Sequence, residues 1–259
     1  MPVPGGSGGA AATYQTGVLV VGGGIAGLSA AISARQSGAE VILIEKAPPE
    51  GRGGNTRFAD AQMRFPHEAD EFGPRDYTVE DMFQDLMRIS RGRANPDLIR
   101  TLCENARDTA EWLTGMGLEW EAGYPHTAGY RRSPKSGGQG LVDLLYRRLE
   151  SLGGVVSYQT GAVDLIVNGD GSIAGVRARS PEGMVDILAS GGVVLACGGF
   201  QANVEMRVRY LGRFADSLIL RGSRYNTGEG LRMAIEAGAQ PAGQWGDYHS
   251  AVLDARSPT

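Results

Sequence analysis

One stretch, residues 18–45, limits what this chain can fold into more than any other part of the sequence. It opens with the apolar run Val18–Val21, which is typical of a strand buried on both faces. Three glycines then follow the spacing G-x-G-x-x-G. Gly22 allows a tight turn, Gly24 lets the backbone approach a pyrophosphate, and Gly27 lets a helix pack closely on the strand. The stretch therefore predicts a strand, a turn and a helix whose N-terminus binds phosphate.

The end of the same stretch adds a second strand and an acid. A helix is predicted over Ile25–Ser37, with Gly38 as its cap, and the apolar run Val41–Ile44 predicts another buried strand. Glu45 lies about 20 residues after the glycines, the offset at which a carboxylate hydrogen-bonds an adenosine ribose. Because this acid would repel a 2′-phosphate, the pattern disfavours NADP. A nucleotide-free α/β unit with a glycine-rich turn is the alternative.

Composition excludes several classes of function. The net charge of -4 and the pI near 5.5 give no electrostatic footprint for nucleic acid. Only two cysteines occur, Cys103 and Cys197, without CxxC or a histidine cluster, so we expect no metal site and reduced thiols in a cytoplasmic protein, with Cys103 in the core. Residues 1–16 lack the features of a secretory signal and are predicted to be a flexible leader. No apolar run is long enough to span a membrane.

The rest of the chain changes from helical to strand patterns. An insertion over about 68–120 is predicted to be helical, with Thr78 and Asn95 as N-caps. A basic loop that includes Arg132 is predicted to be a solvated surface, or else a loop that attracts polycarboxylates. Short apolar runs separated by NGDG and SPEG turns then predict a β-meander, followed by a separate buried strand at Val193–Ala196. The predicted fold is α/β, a Rossmann-like parallel sheet with an inserted β-meander.

Three further glycine-rich segments carry a resemblance to a known family. GRGGNTRF at 51–58 follows the acid, Ala196–Phe200 (ACGGF) follows the last strand, and Thr227–Gly230 (TGEG) opens a helix. With the first turn, they resemble the FAD-dependent fumarate reductase and succinate dehydrogenase flavoprotein family, in particular its tricarballylate dehydrogenase-like branch. The resemblance implies a two-dinucleotide-binding flavoprotein fold. It also implies hydride transfer between flavin and a carbon adjacent to a carboxylate, in a di- or tricarboxylate of the fumarate or tricarballylate type.

The same resemblance implies which residues meet the cofactor and the substrate. His249 matches a histidine that binds the substrate carboxylate. No histidine lies between Glu45 and Phe65, where membrane-bound members attach FAD, so FAD is predicted to be noncovalent. The backbone of Val163 is expected to meet the adenine, and Arg57 to lie near the isoalloxazine. The implied FAD-binding residues are Gly22, Gly24, Ala26, Gly27, Glu45, Lys46, Gly54, Asn55, Thr56, Arg57, Val163, Gly198 and Glu229.

The resemblance covers residues 17–259, which match only the N-terminal half of a family member. We therefore expect an incomplete FAD-binding domain, a fragment that lacks the family's capping domain and its C-terminal FAD segment. A catalytically inactive FAD-binding module is the first alternative. Flavoenzymes that resemble 3-ketosteroid dehydrogenase or urocanate reductase are the second, and a plain NAD-dependent dehydrogenase is the third, although the long β-meander disfavours it. The electron partner is left open.

Overall fold

The computed structural model describes residues 12–123 and 131–247, except for the side chain of Arg131. This part of the chain divides into two compact units. The first, which we name the core unit, runs up to Phe58 and resumes at Leu145. The second, the insertion unit, covers Ala59–Leu144. The predicted helical insertion lies inside the second unit.

Helices and strands occur in both units. None of the helices in the described ranges combines the length and the apolar character needed to cross a membrane. In chain order the elements are β1 (Ala12–Val21), α1 (Ile25–Gln36), β2 (Val41–Ile44), β3 (Met63–Arg64), α2 (Val79–Ile89), α3 (Pro96–Gly115), β4 (Trp120–Ala122), β5 (Arg131–Pro134), α4 (Gly137–Ser151), β6 (Val155–Ser157), β7 (Gly161–Val167), β8 (Ile173–Ser180), β9 (Gly183–Leu195), α5 (Val204–Leu211) and α6 (Glu229–Glu236).

The core unit is built on one six-stranded sheet with the order β6-β2-β1-β9-β8-β7. The strands β6, β2, β1 and β9 run parallel, and β8 and β7 continue the sheet as an antiparallel meander. Helix α1 contacts β1, β2 and β9, and its Leu28, Ala31 and Ile32 are fully buried. The predicted α/β fold, a parallel sheet with an inserted β-meander, is confirmed.

Strand β9 corrects one prediction. Instead of a separate buried strand at Val193–Ala196, the structure has one continuous strand from Gly183 to Leu195. This strand pairs antiparallel with β8 as far as Leu188 and parallel with β1 along most of its length. The glycines at 191 and 192, which resemble a turn signal, instead lie where the register with β1 shifts, as expected for a β-bulge. Val194 is 36% exposed, so the end of the strand is not buried as predicted.

Strand β1 begins before the boundary predicted for the leader. Residues 1–16 are predicted to be flexible, but Ala12 already pairs with Val185 of β9. Thr16 is buried, and its hydroxyl donates to the carbonyl of Glu40 at 3.0 Å. The ladder hydrogen bonds that extend the strand leave no signal in side-chain hydrophobicity, which explains the error. The rest of the predicted leader, residues 1–11, lies outside the described residues.

The insertion unit contains a three-stranded sheet, in the order β3-β5-β4, together with α2 and α3. Both predicted N-caps are confirmed. Thr78 forms a capping box with Asp81 at the start of α2, and the Asn95 side chain accepts two backbone N–H groups at the start of α3. Cys103 is fully buried in the apolar cluster of this unit, as predicted.

Arg132 corrects the prediction of a solvated basic loop. Its side chain is only 3% exposed, and its Nη2 donates to Asp70 Oδ1 at 2.8 Å. Its guanidinium also lies 5.2 Å from the centre of the Phe72 ring. Arg132 pairs on β5 with Met63 of one neighbouring strand and Ala122 of the other, so it lies on the central strand of the small sheet. That position could not be predicted from local charge.

Replacing Ile187 by alanine should destabilise the core unit. The side chain is fully buried in the cluster beneath the sheet, and its removal should lower the free energy of unfolding by about 2–5 kcal/mol. Urea unfolding followed by circular dichroism measures this change. Ile219→Ala, at a position that is 68% exposed in the same unit, is the control and should change stability by less than about 0.5 kcal/mol. Equal effects of the two substitutions would contradict the burial assigned to Ile187.

Candidate functional site

The core unit has a crevice of about 340 Å³ at the carboxyl ends of β1, β2 and β9. Parallel α/β sheets bind ligands at this edge because the loops that leave the strands diverge there. The predicted dinucleotide-binding residues that line the crevice are Gly22, Gly24, Ala26, Glu45, Lys46, Gly54, Asn55, Thr56, Gly198 and Glu229.

The first glycine turn has the geometry that the sequence predicts. Gly22 has φ +105°, and a Cβ there would lie 2.5 Å from the carbonyl oxygen of Ala196. A Cβ on Gly27 would lie 1.8 Å from the carbonyl oxygen of Gly22. Glycine at position 27 therefore permits the close packing of α1 on the turn. Helix α1 begins after Gly24 without a side-chain cap and without an acid in its first turn. Its N-terminal dipole is therefore available to an anionic ligand.

Glu45 lies in the crevice directly after β2. It is only 6% exposed, and its carboxylate accepts backbone N–H groups from Gly23 at 2.8 Å and from Ala47 at 2.7 Å. Burial raises the pKa of Glu45, although these hydrogen bonds and the charge of Lys46 oppose the rise. Each carboxylate oxygen accepts one of the two bonds and retains capacity for another donor. The acid can therefore accept the two hydroxyls of a ribose.

A buried aromatic cluster lies beside Glu45. Tyr146 is fully buried, and within the described part of the chain its hydroxyl has no hydrogen-bond partner. The guanidinium of Arg52 lies 4.3 Å from the centre of the Tyr146 ring, and its Nη1 donates to the Tyr158 hydroxyl at 2.8 Å. A Cβ on Gly23 would lie 1.8 Å from the Tyr146 hydroxyl oxygen. This contact explains why the middle position of the turn is glycine.

An ion pair crosses from β2 to α6. Lys46 Nζ lies 2.6 Å from Glu229 Oε1 and donates to the Thr227 hydroxyl at 2.5 Å, and that hydroxyl in turn contacts the Glu229 carboxylate. Burial alone would raise the pKa of Glu229, but the hydrogen bonds from Lys46 and Thr227 outweigh it and lower the pKa below its usual value. Both predicted cofactor residues therefore lie at one side of the crevice and are held by each other.

The second glycine-rich segment forms a 3₁₀ helix, Gly54–Phe58, beside the first turn. The Thr56 hydroxyl accepts the N–H of Ile25 at 3.1 Å, at the start of α1. Asn55 Oδ1 accepts the N–H of Ser223 at 2.9 Å, and its amide nitrogen remains available as a donor. These bonds connect both sides of the crevice to the glycine turn.

Three of the predicted FAD contacts, Gly27, Arg57 and Val163, do not line the crevice. Arg57 donates to the carbonyl of Glu50. Val163 lies where the pairing of β7 with β8 is shifted by a bulge, and its carbonyl accepts a hydrogen bond from Arg232. A bulge frees backbone groups from the ladder, which is the property that the predicted adenine contact requires. All three assignments remain predictions.

The turn after β9 completes the crevice, with Ala196–Gly199 along its wall. Burial raises the pKa of Cys197 to about 11, and its thiol lies 3.6 Å from the carbonyl of Val21. This cysteine therefore stays protonated at neutral pH and acts as a small packing residue. Among the described residues, no cluster of His, Cys, Asp and Glu could hold a metal ion.

Several residues in the crevice were not predicted. For three of them, Ser223, Tyr225 and Asn226, the nearest sequence signal is the segment RGSRYN, which places polar side chains directly before the TGEG turn. The predicted substrate-binding His249 lies outside the described residues, so its role also stays a prediction. The additional lining residues include Gly23, Thr160, Ala162, Gln201, Ser223, Tyr225 and Asn226.

A family model described as an FAD binding domain matches residues 17–246. The chain belongs to this FAD-binding family. The predicted cofactor, FAD, is therefore confirmed. The residues of the crevice fit this ligand, because the buried Glu45 retains acceptor capacity for a ribose and the start of α1, where Gly24 offers no side-chain cap, suits a diphosphate.

Known relatives are flavin-dependent oxidoreductases, which confirms the predicted family and enzyme class. Urocanate reductase of Eggerthella lenta is 32% identical over 238 residues, or 88% of this chain and 39% of that protein. A flavocytochrome c3 fumarate reductase in an open conformation has a TM-score of 0.73 at 28% identity, over 88% of this chain and 41% of that one. The 3-ketosteroid-Δ4-(5α)-dehydrogenase of Rhodococcus jostii RHA1 shares the fold, with a TM-score of 0.77 at 24% identity over 88% and 55%. This chain spans between 24% and 46% of the length of the first curated relatives it matches.

Replacing Gly23 by alanine should destabilise the FAD crevice, because the new methyl group would overlap the Tyr146 hydroxyl. We expect a loss of about 2 kcal/mol or more in the free energy of unfolding. Tyr146→Phe removes the overlapping oxygen, so the double variant Gly23→Ala, Tyr146→Phe should recover part of the loss. Thermal and urea unfolding of the single and double variants measure this coupling. The control Gly169→Ala, in open space, should have little effect, and additive effects at 23 and 146 would contradict the contact.

Glu229→Gln should reveal a pH-dependent contribution from the Lys46 ion pair. Because folding lowers the pKa of Glu229, the stabilisation is complete above the ordinary value of 4.5 and is lost as the pH falls through the lowered pKa. The side chains are 40% and 38% exposed, so the contribution at pH 7 should be only about 0.5–1 kcal/mol. Urea unfolding at about pH 7 and about pH 3 tests this, with the difference between variant and parent expected to shrink at the lower pH.

Glu205→Gln is the matched control for that experiment. It breaks a more exposed pair with Arg209 on α5, in which the side chains are 76% and 63% exposed. Its effect at pH 7 should be smaller than that of Glu229→Gln. A difference for Glu229→Gln that stays constant from neutral to acidic pH would contradict the lowered pKa.

Proposed function

We propose that this chain forms the FAD-binding part of a flavin-dependent oxidoreductase that transfers hydride between flavin and a carbon adjacent to a carboxylate. The single observation that carries the proposal is the buried Glu45 carboxylate, which is fixed beside the start of α1, where the N-cap Gly24 offers no side chain, in a crevice at the carboxyl edge of the sheet. The similarity to urocanate reductase and to a fumarate reductase supports the reaction class.

The protein's own groups act by binding and orienting the cofactor. Bound FAD supplies the hydride chemistry. Glu45 accepts the hydroxyls of the adenosine ribose, and the N-terminal dipole of α1 attracts the diphosphate. Thr56 fixes the first N–H of the helix, so that this end of α1 keeps its position. Together these contacts hold the cofactor along the glycine turn.

We also propose that the flavin is bound noncovalently. No histidine occurs between Glu45 and Phe65, the region in which covalent attachment would be expected from the resemblance. Acid precipitation of the reconstituted protein should therefore release all of the flavin into the supernatant. Flavin that stays with the precipitate would contradict noncovalent binding.

For the substrate we propose a di- or tricarboxylate of the fumarate or tricarballylate type, with His249 as a ligand of one carboxylate. Oxidation of a reduced dye by the flavin-loaded protein with fumarate or urocanate supplied, and reduction of an oxidised dye with tricarballylate or a 3-ketosteroid supplied, test this choice. Turnover with urocanate alone would favour the urocanate reductase-like alternative, which the 32% identity supports. Bound flavin without turnover on any of the four would favour a catalytically inactive FAD-binding module. A cytoplasmic location stays a prediction from composition.

Glu45→Gln should weaken FAD binding by about ten- to a hundredfold, which corresponds to about 1.5–3 kcal/mol for lost hydrogen bonds to a charged acceptor. One end of the glutamine amide is a donor and would face the N–H of Gly23 or Ala47, so the ribose acceptor would be both neutral and misplaced. Quenching of flavin fluorescence during titration measures the dissociation constant.

The control for this substitution is Glu182→Gln, at an exposed acid in the turn between β8 and β9. It should leave the dissociation constant unchanged. Unchanged binding by both variants, with the parent protein binding FAD, would overturn the role given to Glu45.

A further inference from the structure

One polar side chain of the crevice has no partner of its own. Asn226 is only 7% exposed and lines the crevice, yet its carboxamide makes no hydrogen bond within residues 12–123 and 131–247. Its backbone is fully used, because its N–H donates to Ser223 and its carbonyl accepts from Ala202. The backbone therefore fixes the position of the residue, while the side chain is left unsatisfied.

Three neighbouring polar groups differ from Asn226 in this respect. Asn55 accepts the N–H of Ser223, Thr56 accepts the N–H of Ile25, and the Lys46 ammonium is held by Thr227 and Glu229. The Asn226 carboxamide borders the open space of the crevice, where an amide that makes no hydrogen bond within the protein is available to a ligand. A ligand in the crevice would supply the missing partner.

The turn after β9 fixes which part of a ligand Asn226 can meet. Gly198 has φ +71°, and a Cβ there would lie 3.2 Å from both Oδ1 and Nδ2 of Asn226, so the carboxamide packs against the bare backbone of this glycine. The preceding Cys197 lies directly against the first glycine turn, 3.2 Å from the Cβ position of Gly22. Asn226 therefore borders the turn at which the diphosphate is expected, on the side of β9.

We propose that Asn226 is a further FAD-binding residue, whose carboxamide N–H donates to an oxygen of the diphosphate. The inference rests on the proposed binding of FAD in this crevice. An amide provides donors without placing a negative charge beside the anionic phosphates, whereas an aspartate of nearly the same shape would repel them. The side chain would also fix the diphosphate from the side of β9.

Titrations of the full chain with FAD and, separately, with ADP test the inference, using Asn226→Ala and Asn226→Asp. Asn226→Ala should raise the dissociation constants of both FAD and ADP by about tenfold, which is the effect of one lost hydrogen bond to a charged group. Asn226→Asp should raise both constants further, because it adds charge repulsion. Asn168→Ala, an exposed asparagine in the turn between β7 and β8, is the control and should bind as the parent does.

The outcomes separate this inference from the proposed function. If the parent binds FAD but the variants bind FAD and ADP equally well, the role of Asn226 is overturned while the proposed function stands. A loss of affinity for FAD without a loss of affinity for ADP also overturns the role of Asn226, because this result would place the contact on the flavin half of the cofactor. Failure of the parent to bind either ligand overturns both. Thermal unfolding of the ligand-free proteins checks that the variants fold. If Asn226→Ala misfolds, the nearly isosteric Asn226→Asp carries the test.

Discussion

Two buried hydrogen bonds hold the FAD crevice in shape. Through the N–H groups of Gly23 and Ala47, the carboxylate of Glu45 ties the turn after β1 to the chain that leaves β2. Hydrogen bonds to an ionised group in a buried setting are stronger than neutral ones. The group that organises the turn is therefore also the group proposed to bind the ribose. The two hydrogen bonds and the charge of Lys46 offset part of the burial that raises the pKa of Glu45.

The length of β9 brings the remaining walls of the crevice into place. The strand belongs to the meander through β8 and to the parallel sheet through β1, so it delivers the turn at Ala196–Gly199 to the same edge as Glu45. From there Asn226 packs on Gly198, and Ser223 binds Asn55. The crevice is thus closed by contacts between segments far apart in sequence. Each of these contacts depends on the register between β1 and β9.

Local signals predicted much of the fold and part of the site. Glycine spacing, apolar runs and an acid at a set offset were sufficient for the βαβ unit, because each encodes a backbone requirement within a few residues. The caps at Thr78 and Asn95 were predictable for the same reason. The early start of β1 and the continuity of β9 could not be predicted in this way, because strand pairing depends on partners elsewhere in the chain. The burial of Arg132 against Asp70 was missed because local charge does not encode position on a sheet.

By itself, then, the sequence determined that the chain has a dinucleotide-binding strand, turn and helix, and it predicted Glu45 as the ligand of the ribose. Only the tertiary structure decided that Gly23 must be glycine because Tyr146 fills the adjacent space, and that Asn226 reaches the crevice without a partner. The reason is physical. Motif spacing reflects the backbone conformation over a few residues. The packing and hydrogen bonding of a side chain depend instead on which distant segments the sheet brings together.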